Sequence, residues 1–316
     1  MSNIETARSS AARAVEMRIP ASTSNLGAGF DAVGVALNLY LRVLVERADQ
    51  PVQRIEFSGV DAHLVPTDDT NLMWRVMRTV ADRHGRTLPA FRMRVRNEIP
   101  ITKGLGSSAS ACLAGVVAAD FLCGLGLERA EWLDLASGLE GHPDNAAPSL
   151  YGGFVVSLKG ETIQCARCEF PADWTIVAVT PELELETRTA RAVLPAQVPH
   201  RHAVMNVQHA AYLVAQIIQG RKEGLRAAME DYLHQPYRAD LIPGLREILA
   251  IDPQDGLLGV ALSGAGPTVV ALADRNENRI GDRIREIFGK NGLASQVRAL
   301  KADRLGLTCE AAEVSP

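Results

Sequence analysis

The chain has 316 residues, 47% of them hydrophobic and 22% charged, so it can bury two domains or one two-lobed domain without disulfides. Its formal net charge of −4 excludes a broad basic surface for nucleic acid or anionic lipid. The richest apolar stretch, 109–125, contains Asp120 and is too short for a bilayer span, so no membrane partner is expected.

Residues 1–14 lack the continuous apolar segment of a signal peptide and are predicted to form a disordered leader. The chain contains five cysteines, an odd number, which indicates reduced thiols and a cytoplasmic location. Cys165 and Cys168 form a lone C-x-x-C pair without the partners that a zinc site needs, so no metal is expected there.

The first half of the chain mixes both hydrophobic periodicities. Alternation predicts strands, and helical spacing predicts helices. The expected strands lie at 15–19, where Pro20 breaks the pattern, and at 39–45, 55–57, 91–95 and 154–158. The expected helices are 72–80, capped by Thr70 or Asn71 and ended by Gly85, then 109–122 and 130–139.

The second half shows the same mixture. The expected strands are 176–179, 258–262, 269–272 and a last strand at 297–300, and the expected helices are 203–219, 222–233 and 279–288. Strand runs mixed with helix pairs favour an α+β fold over strict βαβ alternation. The boundary between two lobes is expected within 159–173.

The strongest chemical signal is the glycine–serine turn within 100–109. Gly104 and Gly106 allow a tight turn that brings backbone N–H groups close to a ligand. The serines that follow open a helix, whose free amides and dipole favour an anion. The turn therefore resembles a triphosphate cradle, although a plain loop with a serine cap fits too. No Lys-Ser or Lys-Thr follows the glycines, so it is not a P-loop.

A second glycine turn occupies 20–31. Gly27, Gly29 and Ala32 fit a degenerate dinucleotide fingerprint after a strand, which suggests an NAD-dependent Rossmann oxidoreductase as a rival interpretation. Asp31 counts against it because a carboxylate inside the turn repels pyrophosphate. The chain also becomes a strand by Leu39, leaving little room for a helix. A third turn, 262–268, lies between two strands and alone predicts only a hairpin.

Taken together and in this order, the three turns resemble the signature motifs of the GHMP kinases, the superfamily of galactokinase, homoserine kinase, mevalonate kinase and phosphomevalonate kinase. Further segments resemble the homoserine kinase family in particular: 69–72, 140–145, 187–191, 234–238 and 242–244. Ala28 stands where the family often has Pro, and Ser24 and Ser110 stand where it often has Ala. These small substitutions leave the turns feasible.

The resemblance implies a two-lobed α+β GHMP kinase fold. The N-terminal ATP-binding lobe, ribosomal-S5-like, would span 15–165, and the C-terminal ferredoxin-like α/β lobe would span 166–316. It also implies transfer of the ATP γ-phosphoryl group to the hydroxyl of L-homoserine, a step of threonine biosynthesis. A homodimer is expected only at the level of the family.

The resemblance also assigns residues to ATP and to Mg²⁺. Ser108 and Glu140 would hold the metal, and hard oxygen ligands of this kind suit Mg²⁺. Asn71 would lie near the adenine. The full set expected at the nucleotide is Asn71, Pro100, Ile101, Thr102, Lys103, Gly104, Leu105, Gly106, Ser107, Ser108 and Ala109.

For the amino-acid substrate the resemblance indicates Asn25, Asp31, His142, Thr187, Arg191, Arg238, Gly264 and Gly266. A carboxylate suits the ammonium of homoserine, and two guanidiniums suit its carboxylate. The residues expected to act in catalysis are Ser108, Glu140, Asn145 and Arg191. Asn145 stands where some GHMP kinases have an aspartate that acts as a catalytic base, so the resemblance implies no dedicated base. The neighbouring Asp144 is assigned neither a catalytic nor a structural role.

The alternatives are distinguished by chemistry. Another GHMP small-molecule kinase would keep the glycine–serine turn within 100–109, called the phosphate turn below, but would lack the pair Arg191 and Arg238. A non-catalytic protein of the same fold would be expected to lose Ser108 or Glu140, and both are present. A Rossmann oxidoreductase would bind NAD instead of ATP.

Overall fold

The structure is a computed structural model that describes residues 12–49 and 53–312. Of the predicted leader, residues 1–11 lie outside the described residues, and the first strand already begins at Ala14. Within the described ranges, no helix is long and apolar enough to cross a bilayer.

Eleven strands and ten α-helices make up the described chain. The strands are β1 Ala14–Ser24, β2 Val33–Arg47, β3 Gln53–Gly59, β4 Phe91–Asn97, β5 Phe154–Lys159, β6 Ile163–Cys168, β7 Thr175–Pro181, β8 Leu257–Leu262, β9 Val269–Ala273, β10 Ser295–Leu300 and β11 Thr308–Ala312. The helices are α1 Leu72–Arg83, α2 Ser107–Cys123, α3 Arg129–Glu140, α4 Ala146–Tyr151, α5 Thr187–Ala192, α6 His200–Gln219, α7 Leu225–Ala228, α8 Gln235–Arg238, α9 Leu245–Leu249 and α10 Glu277–Lys290.

The first lobe is built on a seven-stranded sheet in the order β11-β1-β2-β4-β3, with the β5–β6 hairpin attached to β2. All pairs are antiparallel except β3 with β4. The long strand β2 pairs with β1 over most of its length and with β5 at Val33–Val35. Helices α1 to α4 cover this sheet and share one buried apolar cluster with it.

Helix α2 is buried over most of its length because its sequence is almost entirely small and apolar. At Gly115, an added Cβ would lie less than 3.0 Å from the side chain of Val76 and the carbonyl of Met73, so a glycine permits the close approach of α1. The small residues after the glycine–serine turn therefore pack this helix into the core.

The second lobe has a four-stranded antiparallel sheet in the order β10-β7-β9-β8. Helix α10 packs on β7, β9 and β10, and its buried residues Ile280, Ile284 and Phe288 belong to a second apolar cluster. The predicted α+β fold with two lobes is confirmed.

Strand β1 does not end at Pro20, contrary to the prediction. It continues to Ser24, and the pairing with β2 shifts register between Pro20 and Ala21. Proline has no backbone N–H, so one ladder bond is lost and the strand accommodates it as an irregularity. Strand β2 correspondingly begins at Val33, directly after the turn that carries Asp31. No helix follows that turn, which removes the Rossmann interpretation.

The helix expected at 222–233 is wrong except for the four residues of α7. Beyond α7 the carboxylate of Asp231 accepts hydrogen bonds from the backbone N–H groups of Leu233, His234 and Gln235. A side chain that takes over backbone donors in this way competes with a continuous helix. The segment 229–234 is thereby fixed in an irregular path that leads into α8.

The chain also crosses between the lobes more often than the sequence suggested. The expected boundary region contains β6, which carries Cys165 and Cys168 and pairs with β5 in the first sheet. Strand β10 is not the last strand, since β11 follows it and pairs with β1. The C-terminal segment thus returns to the first lobe, and the division at 165/166 falls inside β6.

Candidate active site

The three glycine turns found in the sequence meet at one place between the lobes. The Ser263 hydroxyl donates to the carbonyl of Gly104 at 2.6 Å, and the N–H of Thr268 donates to Lys103 at 3.2 Å. The Ser263 hydroxyl also lies 2.8 Å from that of Thr23 on β1. The turn at 263–268 therefore joins the other two turns through direct hydrogen bonds.

The first turn presents Asn25 and Asp31 in left-handed backbone conformations, with φ of 72° and 57°. The Asn25 side chain accepts from the N–H of Asp31 at 3.0 Å and donates to the carbonyl of Gly264 at 3.0 Å. Asn and Asp tolerate this conformation better than most residues because their short polar side chains form local hydrogen bonds. The turn is thereby held in a shape that aims Asp31 at the space between the lobes.

This space is a cavity of about 430 Å³. It is lined by all but two of the residues that the family resemblance assigned to nucleotide, metal, substrate or catalysis: Asn25, Asp31, Asn71, Ile101, Thr102, Lys103, Gly104, Gly106, Ser107, Ser108, Ala109, Glu140, His142, Asn145, Thr187, Arg191, Arg238, Gly264 and Gly266. Pro100 and Leu105 do not line it, and both are buried in the protein behind the turn.

The phosphate turn has the geometry of an anion site. Gly104 and Gly106 have φ of 78° and 70°, and Gly106 is the N-cap of α2. No side chain caps this helix start. The first N–H groups of α2 and its dipole therefore favour a negatively charged ligand at the cavity wall.

Beside this helix start, the Ser108 hydroxyl donates to the Glu140 carboxylate at 2.6 Å. The Cys112 thiol lies 3.3 Å from the same carboxylate oxygen. Burial, together with the charge of Glu140, raises the pKa of the thiol far above its ordinary value, so Cys112 is a proton donor here. A hydroxyl and a carboxylate are the hard oxygen ligands that Mg²⁺ prefers, and this ion typically takes its remaining ligands from phosphate and water.

On the opposite wall, Arg191 and Asp31 form a two-pronged ion pair with N–O distances of 2.7 and 3.0 Å. The hydrogen bond to Asp31 is the main reason that the pKa of Arg191 is raised. Both side chains are about one third exposed. The sequence assigned these two residues to opposite ends of a substrate, whereas the structure shows them bound to each other.

Arg238 lies behind this pair and is almost fully buried. Its guanidinium donates to the carbonyls of Ala190 and Gly264 at 3.1 and 3.0 Å and to His234 at 3.1 Å. Burial and then repulsion from Arg191 lower its pKa to about 10. This wall thus carries the guanidiniums of Arg191 and Arg238 and the carboxylate of Asp31.

His142 and Asp144 form a close pair, with Nδ1 and Oδ1 2.5 Å apart. Burial lowers the pKa of His142, but the hydrogen bond and charge of Asp144 outweigh this effect and raise it. Burial raises the pKa of the fully buried Asp144, yet the same pairing holds it below its ordinary value. The adjacent Asn145 amide donates to Ser24 at 3.0 Å and accepts from Ser22 at 3.1 Å.

The end of the cavity near Asn71 is apolar. The Asn71 side chain caps α1 by accepting from Met73 at 2.9 Å, and it donates to the carbonyl of Pro66 at 2.7 Å. Apolar side chains surround it here: Leu41, Phe57, Leu64, Val65, Pro66, Leu72 and Met73. The segment 64–66 was not predicted to line a site, because its sequence has no hydrophobic periodicity that would place it in a helix or strand.

Two further residues that the sequence analysis did not assign lie beneath the arginines. The Phe30 ring centroid is 5.3 Å from the Arg238 guanidinium and 5.8 Å from that of Arg191. His234 stacks on Phe30 at 4.9 Å. Phe30 follows the glycines of the first turn and could have been suspected, but nothing in the sequence marked His234 individually.

Family models place the chain in a known superfamily. The model for the GHMP kinases N terminal domain matches residues 71–153, and the model for the GHMP kinases C terminal domain matches residues 213–290. The first of these matches spans the phosphate turn and Glu140, and the second spans Arg238 and the third glycine turn.

Matches to individual proteins identify the family within this superfamily. The chain is 43% identical to the homoserine kinase of Solibacter usitatus, with 89% of this chain and 92% of the relative covered. It is 41% identical to that of Deinococcus radiodurans, over 96% and 100%. The crystal structure of homoserine kinase from Cytophaga hutchinsonii superposes with a TM-score of 0.83 at 28% identity, covering 95% and 98%. The chain therefore belongs to the homoserine kinase family of the GHMP kinases.

Proposed function

We propose that this enzyme transfers the γ-phosphoryl group of ATP to the side-chain hydroxyl of L-homoserine, giving O-phospho-L-homoserine and ADP. The observation that carries the proposal is that one cavity joins a helix start without a side-chain cap to a wall with two guanidiniums and a carboxylate. The first feature suits a triphosphate, and the second suits an amino acid that carries both charges. The family membership supports the same reaction.

The nucleotide would lie along residues 100–109, with its phosphates at the N-terminus of α2 and its base at the apolar end near Asn71. The Asn71 amide is already used in capping α1 and in binding Pro66. It would therefore shape the adenine site by fixing the start of α1 and the segment 64–66. Pro100 and Leu105, buried behind the turn, would support its backbone.

The Ser108–Glu140 pair would hold Mg²⁺ between the protein and the phosphates. A divalent ion there would supply charge neutralisation as negative charge shifts toward the leaving phosphate oxygen. Cys112 donates to the same carboxylate and would keep it oriented toward the cavity. This arrangement explains why a carboxylate ends α3, where the helix dipole alone disfavours negative charge.

The amino acid would bind by exchanging partners with the Arg191–Asp31 ion pair. Its ammonium would take Asp31, and its carboxylate would take Arg191 with Arg238. In this exchange Asp31 and Arg191 each keep an oppositely charged partner. Binding therefore costs less desolvation than the burial of unpaired ions would. Asn25, His142, Thr187, Gly264 and Gly266 would complete the walls.

Catalysis would rest on positioning and charge neutralisation, which dominate phosphoryl transfer. Ser108, Glu140, Asn145 and Arg191 are proposed to contact the reacting groups. Asn145 carries an amide and cannot act as a base. Asp144 lines the cavity, but its pairing with His142 lowers its pKa, so its carboxylate is a weak base for the hydroxyl proton.

The substrate proposal is tested by comparing L-homoserine with 3-aminopropan-1-ol, which lacks the carboxylate, in a coupled ADP-release assay. Hydrogen bonds to charged groups contribute about 1.5–3 kcal/mol each, so kcat/KM should favour homoserine by about 10²–10⁴. Arg191→Lys should remove much of this preference because a point charge cannot form the two-pronged bond. Arg188→Lys, at an exposed position on the same helix, is the matched control.

Equal kcat/KM values for the two alcohols would exclude the carboxylate site. Absence of phosphoryl transfer to homoserine by the folded protein, with turnover of mevalonate or galactose, would instead assign a different GHMP kinase activity.

Glu140→Gln tests the metal site, since it keeps the shape of the side chain and removes the charge. We expect kcat to fall by about 10²-fold or more and the Mg²⁺ concentration for half-maximal rate to rise. Glu161→Gln, on an exposed turn away from the cavity, should change neither. A wild-type Mg²⁺ titration curve for Glu140→Gln would show that Glu140 does not bind the metal.

The His142–Asp144 pair predicts a raised pKa for His142, and removing the charge of Asp144 should reverse the direction of this shift. NMR titration should give His142 a pKa above the ordinary 6.5 in the wild type. In Asp144→Asn, burial should dominate and bring it below 6.5. Because the folded-state pKa is raised, the pair stabilises the fold fully below pH 6.5, and this contribution is lost as pH rises through the pKa of His142. A His142 pKa that does not respond to Asp144→Asn would contradict this account.

A further inference from the structure

His234 is a fully buried titratable residue that the proposed reaction does not use. Its Nδ1 atom lies 3.1 Å from a guanidinium nitrogen of Arg238, and its Nε2 atom lies 2.9 Å from the carbonyl oxygen of Gly27. A guanidinium can only donate, so Nδ1 must be the acceptor. The proton is therefore on Nε2 and is donated to Gly27, which defines one neutral tautomer.

The face of the imidazole contacts the ring of Phe30. It stacks on Phe30 with an interplanar angle of 20°, and Phe30 lies beneath both Arg191 and Arg238. His234 thus contacts the first glycine turn at two points, through the Gly27 carbonyl and the Phe30 ring. That turn carries Asn25 and Asp31, which line the cavity, whereas His234 itself does not line it.

The position of His234 is fixed from its own side of the site. One carboxylate oxygen of Asp231 accepts from the backbone N–H groups of His234 and Gln235 at 2.9 and 2.5 Å. The side chain of Gln235 accepts from the N–H of Leu262 at 2.7 Å, just before the third glycine turn. The imidazole is therefore part of a rigid segment that is tied to the edge of the second sheet.

Burial, and not the sum of the surrounding charges, favours the neutral form of the ring. Burial is the main cause that lowers the pKa of His234, and Arg238 lowers it further, while Asp231 and Asp31 act in the opposite direction. A proton on Nδ1 would face the N–H groups of Arg238 and break their hydrogen bond. The neutral ring is thus compatible with the contacts that the structure shows.

We infer that His234 is a positioning residue for the amino-acid substrate, which aligns the Arg238 guanidinium with the turn that carries Asn25 and Asp31. This inference rests on the proposed function, since it assigns Arg238 and Asp31 to the two charged ends of the substrate. Histidine is suited to the task because it offers an acceptor on one edge, a donor on the other and a flat apolar face. Glutamine has both polar groups at a single end, and leucine has neither.

The test is steady-state kinetics of His234→Leu and His234→Gln. His234→Leu should raise KM for homoserine by about tenfold or more, the loss of one hydrogen bond to a charged group, and leave KM for ATP within about twofold. His234→Gln keeps one of the two hydrogen bonds and should raise KM for homoserine less. Ile284→Ala, in the second apolar cluster, controls for lost stability and should leave the ratio of the two KM values unchanged.

A double-mutant cycle separates positioning from a general structural effect. If His234 acts through Arg238, His234→Leu should cost far less in the Arg238→Ala background than in the wild type. If His234→Leu does not fold, the same cycle is run with His234→Gln. Wild-type KM for homoserine in both folded variants, equal rises in both KM values, or full additivity with Arg238→Ala would each overturn the inference. Failure of the proposed function would look different, because the wild type itself would not phosphorylate homoserine.

Discussion

The site depends on one close approach of two backbones, that of Gly104 in the phosphate turn and that of Ser263 in the third glycine turn. A Cβ added to Gly104 would lie less than 3.0 Å from the Ser263 carbonyl oxygen, and the φ of Gly104 is positive as well. Only glycine satisfies both conditions. Because the Ser263 hydroxyl also reaches Gly104 and Thr23, the second lobe closes over both turns of the first lobe at this point.

The charged and polar groups of the cavity lie on two opposite walls. One wall presents the start of α2 without a side-chain cap, and beside it the Ser108 hydroxyl donates to the Glu140 carboxylate. The opposite wall holds the buried Arg238 and the half-buried ion pair of Arg191 with Asp31. Burying Arg238 is unfavourable without partners, and three hydrogen bonds offset that cost. In the proposed reaction these charges would complement a triphosphate and a zwitterion before either binds.

Much of this could be predicted from the sequence, because glycines, caps and hydrophobic periodicity act locally. Helix α1 begins at Asn71, one of its two predicted caps, and the three glycine turns identified the cavity. Long-range effects were missed: β1 continues through Pro20, β11 returns to the first sheet, and Asp231 replaces a helix with side-chain hydrogen bonds. The pairing of Arg191 with Asp31 and the role of His234 likewise depend on contacts between distant segments. A homodimer and a cytoplasmic location stay predictions.

The most direct test of the central constraint is the binding of both ligands to Gly104→Ala, measured by titration calorimetry with a non-hydrolysable Mg-ATP analogue and with L-homoserine. The added methyl group must push the third glycine turn away, so we expect a folded protein whose affinity for each ligand falls by about tenfold or more. Gly138→Ala, where an added Cβ meets nothing within 4 Å, should bind both ligands like the wild type. Wild-type affinity of folded Gly104→Ala for both ligands would contradict the claim that this contact assembles the site.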